Sequence, residues 1–220
     1  MSALAVLMAL LLYGALHSGT ASAAFKARVS GLMGERAFLG LYRLSYTIVS
    51  VVTLVPVLIL MGVLRKETIW NAEGTTASLL LATRALAVLG LAIALLQIDA
   101  LRFLGIKDAV AYLRGRPLPL PPERLAARGV YRLVRHPLYL FGLIALWSSP
   151  VMEESALGFA VGVTIYAAVG SILEERKMTR VFGPEYEAYR KAVPWLIPFV
   201  KPGRWRHPRD HRLRRKRVSE

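Results

Sequence analysis

The chain contains no cysteine, which excludes disulfides, thiolate metal sites and cysteine nucleophiles together. It is also short of negative charge, with 14 Asp and Glu against 29 Lys and Arg and a formal net charge of +15. That excess is spread over the connecting segments and the C-terminal tail, so it points to anionic lipid headgroups and cytoplasmic loops. A folded nucleic-acid motif is lacking, so the basic tail predicts a juxtamembrane anchor and no nucleic-acid partner. The opening MSA carries no basic side chain, so the usual n-region of a secretory signal is missing despite the TASAA stretch that follows. A retained first helix is expected.

What is present is apolar residue in blocks. Over the 220 residues, 55% are hydrophobic, and several runs approach the ~20 residues a helix needs to cross a ~30 Å hydrocarbon core. Blocks run from Ala3 to Ala24, from Phe38 to Leu64 with Pro56 inside, and from Ala77 to Leu101. Two shorter ones, Leu138 to Met152 and Ser155 to Leu173, flank the acidic Glu153-Glu154 and predict a helical hairpin with its turn near the far interface. The segment EERKMTRVFGPEYEAYRKAV then predicts an amphipathic helix broken at Gly183-Pro184. The fold class expected is all-α and integral membrane, with about five transmembrane helices. Its regions are a three-helix part over 1–101, a loop and C-terminal core over 102–198, and a basic tail over 199–220.

Orientation follows from the basic residues. The connector FKARVSGLMGER, the long loop from Arg102 to Pro137 and the tail share one side of an alternating bundle. That side is expected to be cytoplasmic. The centre of the loop, RGRPLPLPPER, is too rich in proline for helix.

Three stretches have residue types suited to chemistry. In RLVRHPLYLFG, Arg135 and His136 precede a proline-started helix whose first backbone N–H groups lack intrahelical acceptors and can hold a carboxylate or polar edge. Taken singly, these residues also suit a membrane interface: arginine for phosphates, proline for a first turn and tyrosine for the aromatic belt. In EER, Glu174 and Glu175 stand where a span surfaces, against the helix-dipole preference. If the helix continues, Glu174 shares a face with Met178 and Glu175 with Thr179. Such a carboxylate can bind a ribose hydroxyl pair, an ammonium or a sulfonium. In FGPEYEAYRKAVP, Tyr186 and Tyr189 lie three apart and either anchor a surface helix or wall a pocket.

The ordered series RLVRHPLYLFG, short hairpin, EER and FGPEYEAYRKAVP resembles the C-terminal core of the isoprenylcysteine carboxyl methyltransferase-like membrane family, from about Arg128 to Pro198. The N-terminal ALHSGTASAAFKARVSGLMGERAFLGLYRLSYTIVSVVTLVP and FLGIKDAVAYLRGRP are similar to a bacterial branch that includes methanethiol S-methyltransferases and membrane proteins associated with nitrogen-oxide metabolism. The resemblance implies an S-adenosylmethionine-dependent methyltransferase acting on a thiol or other small or lipophilic acceptor in the bacterial inner membrane. It puts Arg135, His136, Pro137 and Tyr139 at the cofactor's amino-acid and adenosine side and Glu174 and Glu175 opposite, with Tyr186 and Tyr189 closing the pocket. His136 and Arg135 are the catalytic candidates it implies, His136 being the nearest to a base. Gly142 follows Phe141 with no second glycine two residues before it, which departs from the phospholipid N-methyltransferase pattern and argues against a lipid amine. The rival readings are a non-enzymatic membrane accessory protein that binds lipid or a partner, and a methyltransferase of prenylcysteine or lipid.

Other ionisable groups carry weaker expectations. Arg84 inside the third block is costly unless paired, and Asp99 with Arg102 reads as an interfacial ion pair. His17, at membrane depth, is either functional or hydrogen-bonded to a neighbouring helix. His207 and His211 have a metal-ligand spacing, but Pro208 intervenes and no metal is expected.

Overall fold

The computed structural model describes residues 1–64, 67–122 and 124–200. The polybasic tail with His207 and His211, and the basic pair Arg65 and Lys66, lie outside them. Nine α-helices and two short strands are found among the described residues. In chain order these are α1 (Ser2–Ala21), α2 (Ala23–Met33), α3 (Glu35–Val63), β1 (Thr68–Asn71), α4 (Gly74–Leu96), α5 (Ala100–Phe103), α6 (Ile106–Leu113), α7 (Pro137–Trp147), β2 (Val151–Glu153), α8 (Glu154–Phe182) and α9 (Pro184–Ala192). A 3-10 turn over Gly129–Arg132 precedes α7.

Four helices, α1, α3, α4 and α8, are long and apolar enough to cross a membrane. Their lipid-facing side chains stay exposed, as Leu12, Val52, Leu86 and Val169 do. The protein is an integral membrane helical protein. Of the five apolar blocks the fourth, α7, has only 11 residues, roughly 16 Å of helix against a ~30 Å hydrocarbon core.

Its partner in the hairpin is not short. α8 runs for 29 residues because ILEERKMTRVF contains no glycine or proline to stop it, and Glu174 and Glu175 sit well inside the helix. Gly183 ends it with φ at +53°, a conformation glycine adopts freely, and Pro184 starts α9. The connector FKARVSGLMGER is also helical in large part: Ser22 caps α2 by accepting the Phe25 amide at 3.3 Å. The proline-rich stretch 117–122 is irregular.

Helices α1 and α8 pack in parallel. Gly158 lies against the Ala3 backbone and Gly162 against Leu10, where a Cβ on either glycine would overlap its neighbour. These glycines form a GxxxG pair, the close-approach device of membrane helices. Helix α3 runs antiparallel on the other side of α1, where Val6, Leu10 and Val57 form a buried cluster.

At the end of the bundle where α1 and α8 begin, β1 and β2 pair antiparallel, with Trp70 opposite Met152. The Glu154 carboxylate there accepts from the Met1 ammonium at 3.2 Å and the Ser2 amide at 3.1 Å, holding the two helix starts together. The irregular backbone after α7 needs partners inside the protein. Trp70 Nε1 donates to the Ser149 carbonyl at 3.1 Å, the Ala72 amide donates to the Pro150 carbonyl at 2.9 Å, and Arg84 reaches Ser149 Oγ at 3.5 Å. Arg84 is thus partnered, as its cost inside a span requires.

Helices α2, α5, α6 and α9 gather at the opposite, basic end. Asp99 there takes the backbone amide of Arg102 at 3.1 Å and pairs with Lys107 at 2.5 Å.

Candidate active site

The segment before α7 docks on the chain after α9. The Arg135 amide donates to the carbonyls of Pro194 and Trp195, and the side chain that follows is buried at 9% exposure. Four of its five N–H donors are engaged: Nε and Nη2 approach Glu175 Oε1 at 2.7 and 2.6 Å, while Nη1 donates to the carbonyls of Arg190 and Val193 at 2.8 and 2.9 Å. Arg135 therefore ties the start of α7, the middle of α8 and the end of α9 into one unit.

His136, 5% exposed, stands between both carboxylates. Its Nε2 is 3.3 Å from Glu175 Oε1 and its Nδ1 3.6 Å from Glu174 Oε2. The two glutamates differ in what surrounds them. Glu175 is enclosed, whereas the Glu174 side chain is 39% exposed and keeps acceptor capacity for a ligand. Pro137 is buried at the first position of α7, and the Tyr139 ring lies 5.6 Å from the His136 ring with its hydroxyl beside Glu174.

Tyr186 and Tyr189 are each 2% exposed and form a core with Ala127 and Val193, against which Met178 and Phe182 pack. The Tyr189 hydroxyl donates to the Tyr131 carbonyl at 2.5 Å. Burial raises the pKa of both phenols, with neighbouring carboxylate charge adding to it at Tyr186, and Tyr131 is pushed up to about 12 for the same leading reason. All three are neutral at physiological pH. They support the Arg135 side of the site from beneath.

Beside this unit an open cleft of ≈ 680 Å³ is lined by Arg135, Ile172, Glu175, Arg176, Arg190 and Trp195, among others. The face-sharing expected along α8 holds here. Thr179, on the Glu175 face, lines the cleft, while Met178, one helical turn past Glu174, packs on the tyrosine core.

The residues singled out from RLVRHPLYLFG, EER and FGPEYEAYRKAVP are thus brought together at the basic end. The sequence did not reveal the carbonyls of Arg190 and Val193 as partners of Arg135, since backbone acceptors leave no signature in residue type. Nor did it reveal that His17, Tyr46 and Ser50 meet on adjoining helices: His17 Nδ1 is 2.8 Å from Ser50 Oγ, and His17 Nε2 is 2.5 Å from the Tyr46 hydroxyl. Among the described residues no group of three or more His, Asp or Glu side chains is placed to hold a metal.

The chain is similar to methanethiol S-methyltransferase 1 of Bradyrhizobium diazoefficiens, 38% identical over 102 residues, covering 46% of this chain and 35% of that protein. It is 34% identical over 136 residues to the methanethiol S-methyltransferase of Pseudomonas deceptionensis, covering 60% of this chain and 50% of the other. A shorter stretch of 81 residues is 38% identical to protein-S-isoprenylcysteine O-methyltransferase B of Arabidopsis thaliana, 36% of this chain and 41% of that one. The chain spans about half the length, or less, of the curated relatives it matches. No solved structure matches it. A match over residues 5–197, from the first helix through the Arg135 unit to the chain that closes it, makes this chain a member of the family described as NnrU protein.

Proposed function

We propose that this protein is an S-adenosylmethionine-dependent membrane methyltransferase whose site lies at the basic end of the bundle, facing the cytoplasm of a bacterial inner membrane. The observation that carries the reading is the Arg135–Glu175–His136–Glu174 unit, a half-open carboxylate beside one held through a single oxygen by the arginine and the histidine. Relatives named methanethiol S-methyltransferase support a thiol as acceptor, and those named for prenylcysteine keep a lipophilic acceptor within the same class.

The donor set fits the methyl donor's chemistry. Glu174 has free acceptor capacity for a hydroxyl pair or an ammonium, Arg176 and Arg190 offer charge to a carboxylate, and Trp195 offers a ring face to a purine. The first turn of α7 adds backbone N–H groups, because Pro137 occupies its first position and the amides after it lack intrahelical acceptors. Bound there, the group supplies an electrophilic methyl on a sulfonium. His136, Pro137 and Tyr139 form one wall of this proposed site, and Tyr186 and Tyr189 hold Arg135 in place behind it.

Arg135 is a positioning residue in this scheme, since four of its five N–H donors are already used within the protein. His136 orients the carboxylates and contacts the ligand. Anionic headgroups bind the basic end, which carries Lys26, Lys107 and Arg116.

Calorimetric titration of detergent-solubilised protein with S-adenosylhomocysteine tests the reading. Saturable binding is expected, weakened at least tenfold by Glu175→Ala and by His136→Ala in protein that remains folded. Absence of binding in folded wild-type protein overturns it and favours the non-enzymatic accessory reading.

A further inference from the structure

Between α1, α3 and α8 a second, half-buried polar group stands that the donor site does not use. His17 on α1, Ser50 and Tyr46 on α3 and Tyr166 on α8 meet within the span, with the His17 ring 4.8 Å from Tyr46, 5.9 Å from Tyr166 and 5.6 Å from Tyr13. A histidine at this depth is costly unless both ring nitrogens find partners, and here one of those partners is a phenol that can both donate and accept a proton.

The single hydroxyl hydrogen of Ser50 fixes the tautomer of His17. Ser50 has one hydroxyl hydrogen, and it donates to the Tyr46 carbonyl at 2.7 Å. Toward His17 the Ser50 oxygen is therefore an acceptor, so Nδ1 carries the proton. Nε2 is left with its lone pair, and the Tyr46 hydroxyl, 2.5 Å away, donates to it. The Tyr46 oxygen then has lone pairs available to a further donor. A histidine with its far nitrogen pinned, facing a tyrosine that can pass a proton, is a base awaiting a substrate.

This dyad borders the donor site. The Tyr166 ring, 5.9 Å from His17, and the Tyr139 hydroxyl both border Gly170 on α8, one turn before Glu174. Resting on the methyltransferase reading above, we infer that the His17–Tyr46 dyad is the acceptor subsite, receiving a small thiol among tyrosine faces and taking its proton. Divalent sulfur packs favourably on aromatic rings. The thiol S–H proton passes to the Tyr46 oxygen as Tyr46 gives its own proton to His17 Nε2. The thiol sulfur bonds to the methyl carbon while the methyl–sulfonium bond breaks, and that electron pair stays on the donor's sulfur. The proton on His17 is released to water after the products leave, so the sum is thiol plus sulfonium giving two thioethers and one proton.

The test uses the full chain, ethanethiol as acceptor and two variants, His17→Gln and Tyr46→Phe. Glutamine keeps a donor and an acceptor for the contact between helices but cannot take a proton. Titratable groups facing His17 are Tyr13 on its own helix, Tyr46 on α3 and Tyr166 on α8; Tyr42, Tyr139 and Glu174 stand beyond them. Both variants should bind S-adenosylhomocysteine within twofold of wild type and lose methyl transfer to ethanethiol at pH 7 by about 100-fold or more, the usual share of a general base. Their residual rate should climb about tenfold per pH unit toward the thiol's own pKa, since a preformed thiolate needs no base. A wild-type rate and pH profile in folded His17→Gln would make the histidine a packing residue and overturn the inference. Loss of S-adenosylhomocysteine binding in both folded variants would assign the dyad to the donor site and overturn it equally. Failure of wild-type protein to bind S-adenosylhomocysteine is the separate failure of the parent reading.

Discussion

One oxygen of Glu175 accepts from both Nε and Nη2 of Arg135, at 2.7 and 2.6 Å, and stands 3.3 Å from His136 Nε2. Burial makes this pair a structural commitment, because removing one partner leaves the other charged and desolvated. Arg135→Leu should destabilise the protein by about 3–5 kcal/mol, the usual cost of breaking a buried pair. Thermal unfolding in detergent reads it. Glu175→Gln should cost less, since the amide oxygen still accepts from the guanidinium.

Glu174 separates binding from stability. Its half-exposed side chain meets only His136, at 3.6 Å, and the Tyr139 hydroxyl, so Glu174→Ala should shift the unfolding midpoint far less than Arg135→Leu while weakening S-adenosylhomocysteine at least tenfold. Calorimetry and thermal unfolding on one preparation check both halves.

Close approach of α1 to α8 depends on Gly158 and Gly162. Gly158→Leu should push α1 away from α8 and destabilise the bundle by about 1–3 kcal/mol, the range for overpacking. At Gly19, which faces open space, Gly19→Ala should be neutral or slightly stabilising. Comparing the two unfolding midpoints tests whether the effect belongs to the contact.

Three buried phenols set an alkaline limit. Their folded pKa values are raised, to about 12 for Tyr131, above the ~10 of an exposed tyrosine. Below pH 10 both folded and unfolded forms keep the proton and stability is unaffected. Above it the unfolded chain loses protons that the folded chain retains, so stability falls as pH rises from 10 toward 12. Chemical denaturation across that range should show the slope, and Tyr189→Phe should reduce it. The same variant leaves the buried Tyr131 carbonyl without its donor, at a cost of about 1–3 kcal/mol at neutral pH.

Asp99 gives the opposite sign. Lys107, by hydrogen bond and charge, holds its carboxyl below the usual range, so what the contact contributes is present at neutral pH and lost as pH falls through that lowered value. Lys107→Met should reduce this acid-side dependence, leaving the part due to the Arg102 amide and charge, as NMR titration of the carboxyl would show.

Much of the fold is legible in residue order. The apolar blocks from Ala3, Phe38 and Ala77 fall within a few residues of α1, α3 and α4, because a span must satisfy its backbone internally and is built of long apolar runs. Gly183 and Pro184 mark the break before α9 for equally local reasons. The length of α8 is not legible, because EER looks like a span's end by polarity, whereas helix continuation depends on backbone propensity and on the packing around Glu175. Strands β1 and β2 carried no readable signal: each is three or four residues long, and their pairing joins chain segments some eighty residues apart.

By itself the sequence determined a cysteine-free, basic, helical membrane protein, and it placed RLVRHPLYLFG, EER and FGPEYEAYRKAVP in order along the chain. Helical period sets which residues share a face of one helix. It does not say which helix covers that face. Only the tertiary structure decided that Arg135 takes Glu175 and leaves Glu174 open, that Tyr186 and Tyr189 are core, and that His17 meets Tyr46 and Ser50. Those choices arise where helices distant in sequence pack within hydrogen-bond reach, and that geometry belongs to the assembled bundle.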